Sequence, residues 1–269
     1  MQSTDSYGSN CDHNVDRHHQ VQDSRHRAGL ASDTFAESRI KGWQAVALRR
    51  SGPPCYRIMV SDTAEPTDVV TSSASTDEYL LRRQMDLQEE ARDVLNELDL
   101  ERRLGDIGSM LMTGSFISGL MVWRELDIMF LGGPELSPTD VLAAMGQLVL
   151  LPGIVRFDYA DERGLRSPTG EPRDERYHVP TTYIRPSGTW CLDLTFWLHD
   201  AHENVTAWHE QLRDSLTPEE RGAILRIKNV WHRRPEYPGV VSGLEIYTSV
   251  LEHGVRSLEQ FDVWLAGAS

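Results

Sequence analysis

Two carboxylates, Glu125 and Asp127, are separated by a single leucine in the apolar run "ELDIMFL", and a third, Asp193, stands alone between Leu192 and Leu194 in "CLDLTFWL". In an extended strand residues i and i+2 face the same side, so Glu125 and Asp127 project together while Leu126 and Ile128 face the other way. Carboxylates so close repel, and each raises the proton affinity of the other unless a cation lies between them. Magnesium suits such a cup: it takes carboxylate oxygens, keeps some of its waters and binds substrate phosphates. Asp193, at the same depth on a neighbouring strand, would complete it. The plainer alternative is a pair of acids on a solvated strand face, with Asp193 an isolated structural residue.

Upstream, Gly114-Ser115 ends the apolar run "MLMT". A Gly-Ser turn between a strand and a helix offers backbone N–H groups and a hydroxyl to phosphate oxygens, with the helix dipole behind them. Gly119, four residues after Ser115, would let backbone pack closely there.

Taken in order, Met112-Thr113-Gly114-Ser115, Gly119, Glu125-Leu126-Asp127-Ile128 and Leu192-Asp193-Leu194 resemble the nucleotidyltransferase superfamily typified by DNA polymerase β and the antibiotic nucleotidyltransferases. The resemblance covers about residues 78–200. It implies that Gly114 and Ser115 hold nucleoside triphosphate phosphates. It also implies that Glu125 and Asp127 bind two magnesium ions, and that Asp193 binds the ion that activates an acceptor hydroxyl and assists its deprotonation. The catalytic acids would be Asp193, Asp127 and Glu125. One departure stands out, since the first acid of the family is usually Asp and here it is Glu125. Arg124 also replaces a small polar residue common there. In "RIKNVWHRR", Lys228 is either a triphosphate ligand of the kind the family often places on its helical domain, or a solvated helix charge.

The elements that must position these groups follow from periodicity. "TDEYLLRRQMDLQEEARDVLNELDLERRL" is a charged amphipathic helix with Thr76 or Asp77 as cap. "DIGSMLMTG" is predicted to be a buried strand, "SFISGLMVW" a short helix, and "ELDIMFLGG" a second strand. Ser137 and Pro138 open a further helix. "GIVRFDYADE" predicts a third strand, and "RYHVPTTYIR" with "TWCLDLTFWL" a hairpin about Pro186-Ser187-Gly188. Four helical segments follow, one of them started by Thr217-Pro218-Glu219-Glu220. The expected architecture is an α/β (α+β) nucleotidyltransferase-like mixed sheet with flanking helices, residues 77–200, then an all-α C-terminal region, 201–269. Residues 1–76, polar and aperiodic, are expected to be a disordered extension.

Composition narrows the function. The chain of 269 residues has a formal charge of −14, most of it after the first 75 residues, which disfavours a long nucleic-acid partner. Cys11, Cys55 and Cys191 form no CxxC pair, and Cys191 reads as a small core residue. No apolar run approaches the roughly 18 residues of a membrane span, and Met1 to Asn10 is no secretory signal, so a cytoplasmic protein without membrane contact is expected. The tract with His13, His18, His19 and His26 lacks accompanying ligands of metal-site spacing. His209-Glu210 is not followed by the second His of HExxH, and Asn204 reads as a helix cap there. No P-loop or GxSxG motif is present. Tyr177, Tyr183, Trp190 and Trp197 are candidates for an acceptor pocket or ordinary core, and Trp231, Tyr247 and Trp264 for helix packing.

The functional expectation is a magnesium-dependent transferase that binds an NTP such as ATP and moves the NMP to a hydroxyl or phosphate of a small, cationic acceptor. Two alternatives stay open. One is nucleotidylation of protein or RNA, and the other is an inactive nucleotide-binding or interaction module of the same fold, for which Glu125 is the motive.

Overall fold

The computed structural model describes residues 73–268. The histidine tract, Cys11, Cys55 and nearly all of the extension expected to be disordered lie outside the described residues. Helix α1 (Ser73–Leu98) begins upstream of its expected caps, so Thr76 and Asp77 lie inside the helix; Asp77 instead ion-pairs with Arg226. A short helix, α2 (Leu100–Leu104), leads into β1 (Ser109–Thr113), α3 (Gly114–Ser118) and β2 (Glu125–Leu131). Then come α4 (Pro138–Leu148), β3 (Ile154–Phe157), β4 (Ala160–Glu162), β5 (Arg176–Arg185) and β6 (Gly188–Trp197). Four helices follow: α5 (Val205–Ser215), α6 (Pro218–Trp231), α7 (Gly243–Glu252) and α8 (Leu258–Ala268).

The six strands form one mixed sheet in the order β1-β2-β6-β5-β3, with β4 also paired to β5. Only β2 and β6 run parallel; the other pairs are antiparallel. The expected third strand is thus two short ones, both against β5. β1, expected to be buried, is an edge strand, mostly half-exposed. A mixed sheet with flanking helices, followed by an all-α region, is the architecture expected from the sequence.

One face of β2, β6 and β5 is apolar. Leu126, Ile128 and Phe130, Leu192, Leu194 and Phe196, and Tyr177 and Val179 are all fully buried there, in one core with Leu87, Ala91, Val94 and Leu98 of α1 and Val141, Met145 and Leu148 of α4. At about 25 cal/mol per Å² of apolar surface removed from water, this layer is the main fixative of the sheet. A second cluster joins Leu80 of α1 and Leu120 and Val122 of the α3–β2 loop to the helical region through Ile224, Ile227, Ile246 and Phe261. Helix α4 starts with a capping box between Ser137 and Asp140, and α6 with one between Thr217 and Glu220, each with Pro in its first turn. Asn204 precedes α5 but makes no side-chain cap bond, which corrects the expectation for it. Cys191 is a buried thiol. Among the described residues no helix is long and apolar enough to cross a membrane.

Candidate functional site

The opposite face of the same strands carries charge. Asp127 on β2 is the register partner of Asp193 on β6, and Thr113 on β1 is the partner of Asp127. Parallel pairing of β2 with β6 therefore brings Glu125, Asp127 and Asp193 together, and each offers an oxygen within 4.8 Å of the others. Glu125 and Asp193 are buried and Asp127 is half-buried. The extra methylene of Glu125 does not remove its carboxylate from the group. Among the described residues this is the one cluster of three or more acids, histidines or cysteines so placed. The acids and histidines between His199 and Glu210 do not form another.

A purely oxygen donor set fits a hard divalent cation such as magnesium. Three carboxylates at that spacing, two of them buried, support the same assignment, because a cation between them would offset their repulsion. These three residues could hold the metal.

Gly114 lies against this cluster. Its φ is +67°, which side-chain-bearing residues rarely adopt, and a Cβ there would lie 1.9 Å from Asp127 Oδ2. Glycine is thus required twice, by conformation and by space. Helix α3 has only five residues, too few for the expected macrodipole. What the turn presents to the cleft is the Ser115 hydroxyl and close backbone. Gly119 ends α3 at φ +66°, and Arg221 donates to its carbonyl at 3.0 Å. It is a left-handed helix cap, and the close packing expected there is also present, since a Cβ would lie 3.0 Å from Arg221 Nη1.

Lys228 reaches the turn from α6. It is 1% exposed, so the alternative of a solvated helix charge is corrected. Its Nζ donates to Ser115 Oγ at 2.6 Å, to the Leu120 carbonyl at 3.0 Å and to Tyr247 Oη at 3.2 Å. Three donors meet three acceptors, so the ammonium is satisfied inside the protein. Because Ser115 Oγ accepts from Lys228, its own O–H remains available to donate. The ammonium also lies 5.6 Å from the Trp123 ring centre and 5.5 Å from that of Tyr247.

The acids, the turn and Lys228 line one cleft of about 330 Å³, closed on the helical side by Tyr237, Ser242 and Tyr247. That volume lies at the small end of the range for small-molecule sites. Trp197 and Arg176 line it too, whereas Tyr177, Tyr183 and Trp190 belong to the apolar core. Tyr247, expected only to pack, is part of the site. Helical periodicity marks it as inward-facing but cannot show that the inward neighbour is a lysine.

Two histidines border the cleft region. His209 Nδ1 lies 2.9 Å from the Val205 carbonyl and 3.0 Å from Thr113 Oγ1. Burial lowers its pKa to about 4, and the Lys228 charge adds to the shift. His232 stacks on Trp123 at 5.0 Å, and burial again lowers its pKa to about 4. Arg124 points away from the acids. It pairs with Glu90 of α1 at 3.1 Å, and the same carboxylate accepts from Trp190 Nε1 and Ser187. Glu90 thus fastens α1 to the β5–β6 hairpin, and Arg124, the residue before Glu125, supplies its counter-charge and ties it to the start of β2.

No family model matches the sequence, and no curated protein does. Solved structures similar to this one include a Cid1 poly(U) polymerase with magnesium and 3′-dATP bound, 16% identical over 66% of this chain and 55% of the other, with a TM-score of 0.45. A cytoplasmic RNA terminal U-transferase is 15% identical over 68% of this chain and 55% of the other, with a TM-score of 0.46. The GLD-2 poly(A) polymerase in complex with GLD-3 is 11% identical over 66% and 60%, with a TM-score of 0.42. The chain spans a little over half the length of these structures.

Proposed function

We propose that the protein is a magnesium-dependent nucleotidyltransferase. The observation that carries this reading is the convergence of Glu125, Asp127 and Asp193 at one end of a cleft whose other end holds the Gly114-Ser115 turn and Lys228. Glu125, Asp127 and Asp193 hold the metal. The Ser115 hydroxyl donates to a phosphate oxygen of the NTP, with Gly114 allowing the phosphates close to the acids. Lys228 supplies positive charge behind Ser115 and orients its hydroxyl. Tyr247 keeps that lysine in place.

An acceptor hydroxyl next to Asp193 attacks the α-phosphorus. The new O–P bond forms as the bond from the α-phosphorus to the bridging oxygen breaks, pyrophosphate leaves, and the hydroxyl proton passes to Asp193 and on to solvent. Bound magnesium, as two ions, would neutralise charge on the attacking and leaving oxygens. That Glu125 keeps its oxygen within the cluster favours activity over the inactive-module alternative.

The expected small cationic acceptor gains no support from the comparisons, and the RNA-directed alternative fits the activities named for the neighbouring structures better. A short RNA end engages few phosphates, so the acidic charge that opposes long polyanions weighs little against it. The test incubates the full chain with each labelled NTP, magnesium, and either an RNA oligonucleotide or an aminoglycoside-like polyamine alcohol. Pyrophosphate release and label in the RNA fraction are expected, falling at least about a hundredfold in Asp127→Ala. Absence of transfer to any acceptor, together with NTP binding that ignores magnesium, would refute the reading. Label in the polyamine alone would restore the small-molecule acceptor.

A further inference from the structure

The charged face of the sheet continues past the three acids. Asp193 is paired in register with Pro180 of β5, so His178, two residues earlier on that strand, shares its face. Arg176 comes two residues before His178, and its register partner on β4 is Glu162. A single polar row therefore crosses four strands, from Asp127 through Asp193 and His178 to Glu162.

His178 Nε2 lies 2.6 Å from Asp193 Oδ1, with the His178 side chain 4% exposed and that of Asp193 10%. An ionised carboxylate only accepts, so Nε2 carries the hydrogen of this bond. On the other side of the ring, His178 Nδ1 faces Glu162 Oε1 at 3.8 Å, beyond hydrogen-bond reach. Glu162 is itself ion-paired to Arg176 through its other oxygen, and the Arg176 guanidinium lies 5.3 Å from the Trp197 ring centre. The imidazole is wedged between two carboxylates, and the second of these is pinned by a buried arginine.

The terminal torsion of an aspartate is broad and roughly two-fold, so an unrestrained carboxylate spends much of its time turned away from any one cation-binding orientation. A buried donor on one oxygen removes that freedom. We infer that His178 is a positioning residue for the metal cluster: its bond to Asp193 Oδ1 fixes the carboxylate beside Glu125 and Asp127 before a cation arrives, and the Arg176–Glu162 pair closes off the far side of the ring. The inference rests on the reading of the three acids as a metal site. It assigns a function to a residue that the sequence presents only as one polar position in a strand.

The test uses manganese as a spin probe on the full chain. In His178→Phe, which keeps a ring and loses the donor, the manganese Kd and the magnesium concentration for half-maximal transfer should both rise about tenfold. KM for the NTP at saturating magnesium should stay put. His178→Gln, whose amide can still reach Asp193, should recover most of the affinity. A merely structural histidine would lower the melting temperature of both variants and leave the manganese Kd of the folded protein unchanged. Wild-type affinity in His178→Phe, or a Gln variant as weak as Phe, would overturn the inference. If the Phe variant does not fold, His178→Asn, too short to reach Asp193, takes its place with the same expectations. Absence of manganese binding by the wild-type chain overturns the metal reading and this inference with it; wild-type binding indifferent to residue 178 overturns this inference alone.

Discussion

Strands β2, β6 and β5 present two faces built from alternate residues of the same segments. On one, Leu126, Leu192, Leu194 and Phe196 are fully buried against α1 and α4. On the other, Glu125, Asp127 and Asp193 cluster, His178 bonds to Asp193, and Arg176 follows two residues from His178 on the same face of β5. Backbone pairing is common to both, so the difference lies in what each face is asked to do. The apolar face supplies the free energy of folding. The charged face spends part of it, since like charges held this close destabilise one another. Function and stability are thus separated by a rotation of one residue along the strand.

The separation can be broken most directly from the apolar side. Phe196→Ala should lower unfolding stability by about 3–5 kcal/mol, measured by denaturant titration, while the folded fraction keeps its manganese Kd. A large loss of metal affinity in folded Phe196→Ala would show that the two faces are not independent. The border between them should respond to acid. His209 and His232 have pKa values lowered to about 4 from 6.5, so between these values the unfolded chain binds more protons than the folded one. Their contribution is complete above about pH 6.5 and declines as pH falls towards about 4, by up to about 3 kcal/mol for each. Melting temperature followed from pH 7.5 to 5 should fall, and His209→Gln should flatten part of the slope; an unchanged slope would count against a buried neutral imidazole. The smallest effect sharpens the charged side. Lys228→Met should weaken NTP binding about tenfold, read by calorimetry, with magnesium-only binding unaffected. Loss of metal binding in that variant would mean that the two ends of the cleft are one site.

The site was legible where its signal is local. Alternation within "ELDIMFL" puts Glu125 and Asp127 on one face, and the lone Asp193 in an apolar strand marks itself. What alternation cannot convey is register between strands far apart in sequence. His178 is 15 residues from Asp193 across a hairpin, and alternation within each strand leaves the pairing between them open. The register that puts Arg176 and His178 on the acid face, opposite Tyr177 and Val179, is that of a two-residue turn at Pro186-Ser187 with Arg185 paired to Gly188, and a turn longer by one residue would reverse the faces. Lys228 was ambiguous because helical position alone does not tell solvent from a neighbouring turn; its partner Ser115 is 113 residues away. Arg124 had no local meaning at all, since its partner Glu90 belongs to a helix that the sequence reads as merely charged on its outer side. The expected caps of α1 failed for a simpler reason: a polar residue before a helix pattern is a permissible cap, not a required one, and α1 extends past it.

The three bonds of Lys228 also limit how the molecule can move. Swinging the helical region away from the sheet would break the bonds of the Lys228 ammonium to Ser115 and the Leu120 carbonyl while Tyr247 travels with it. In the proposed reading these bonds make the cleft a slot preset for its ligand: Ser115 is aimed by Lys228 before a nucleotide arrives.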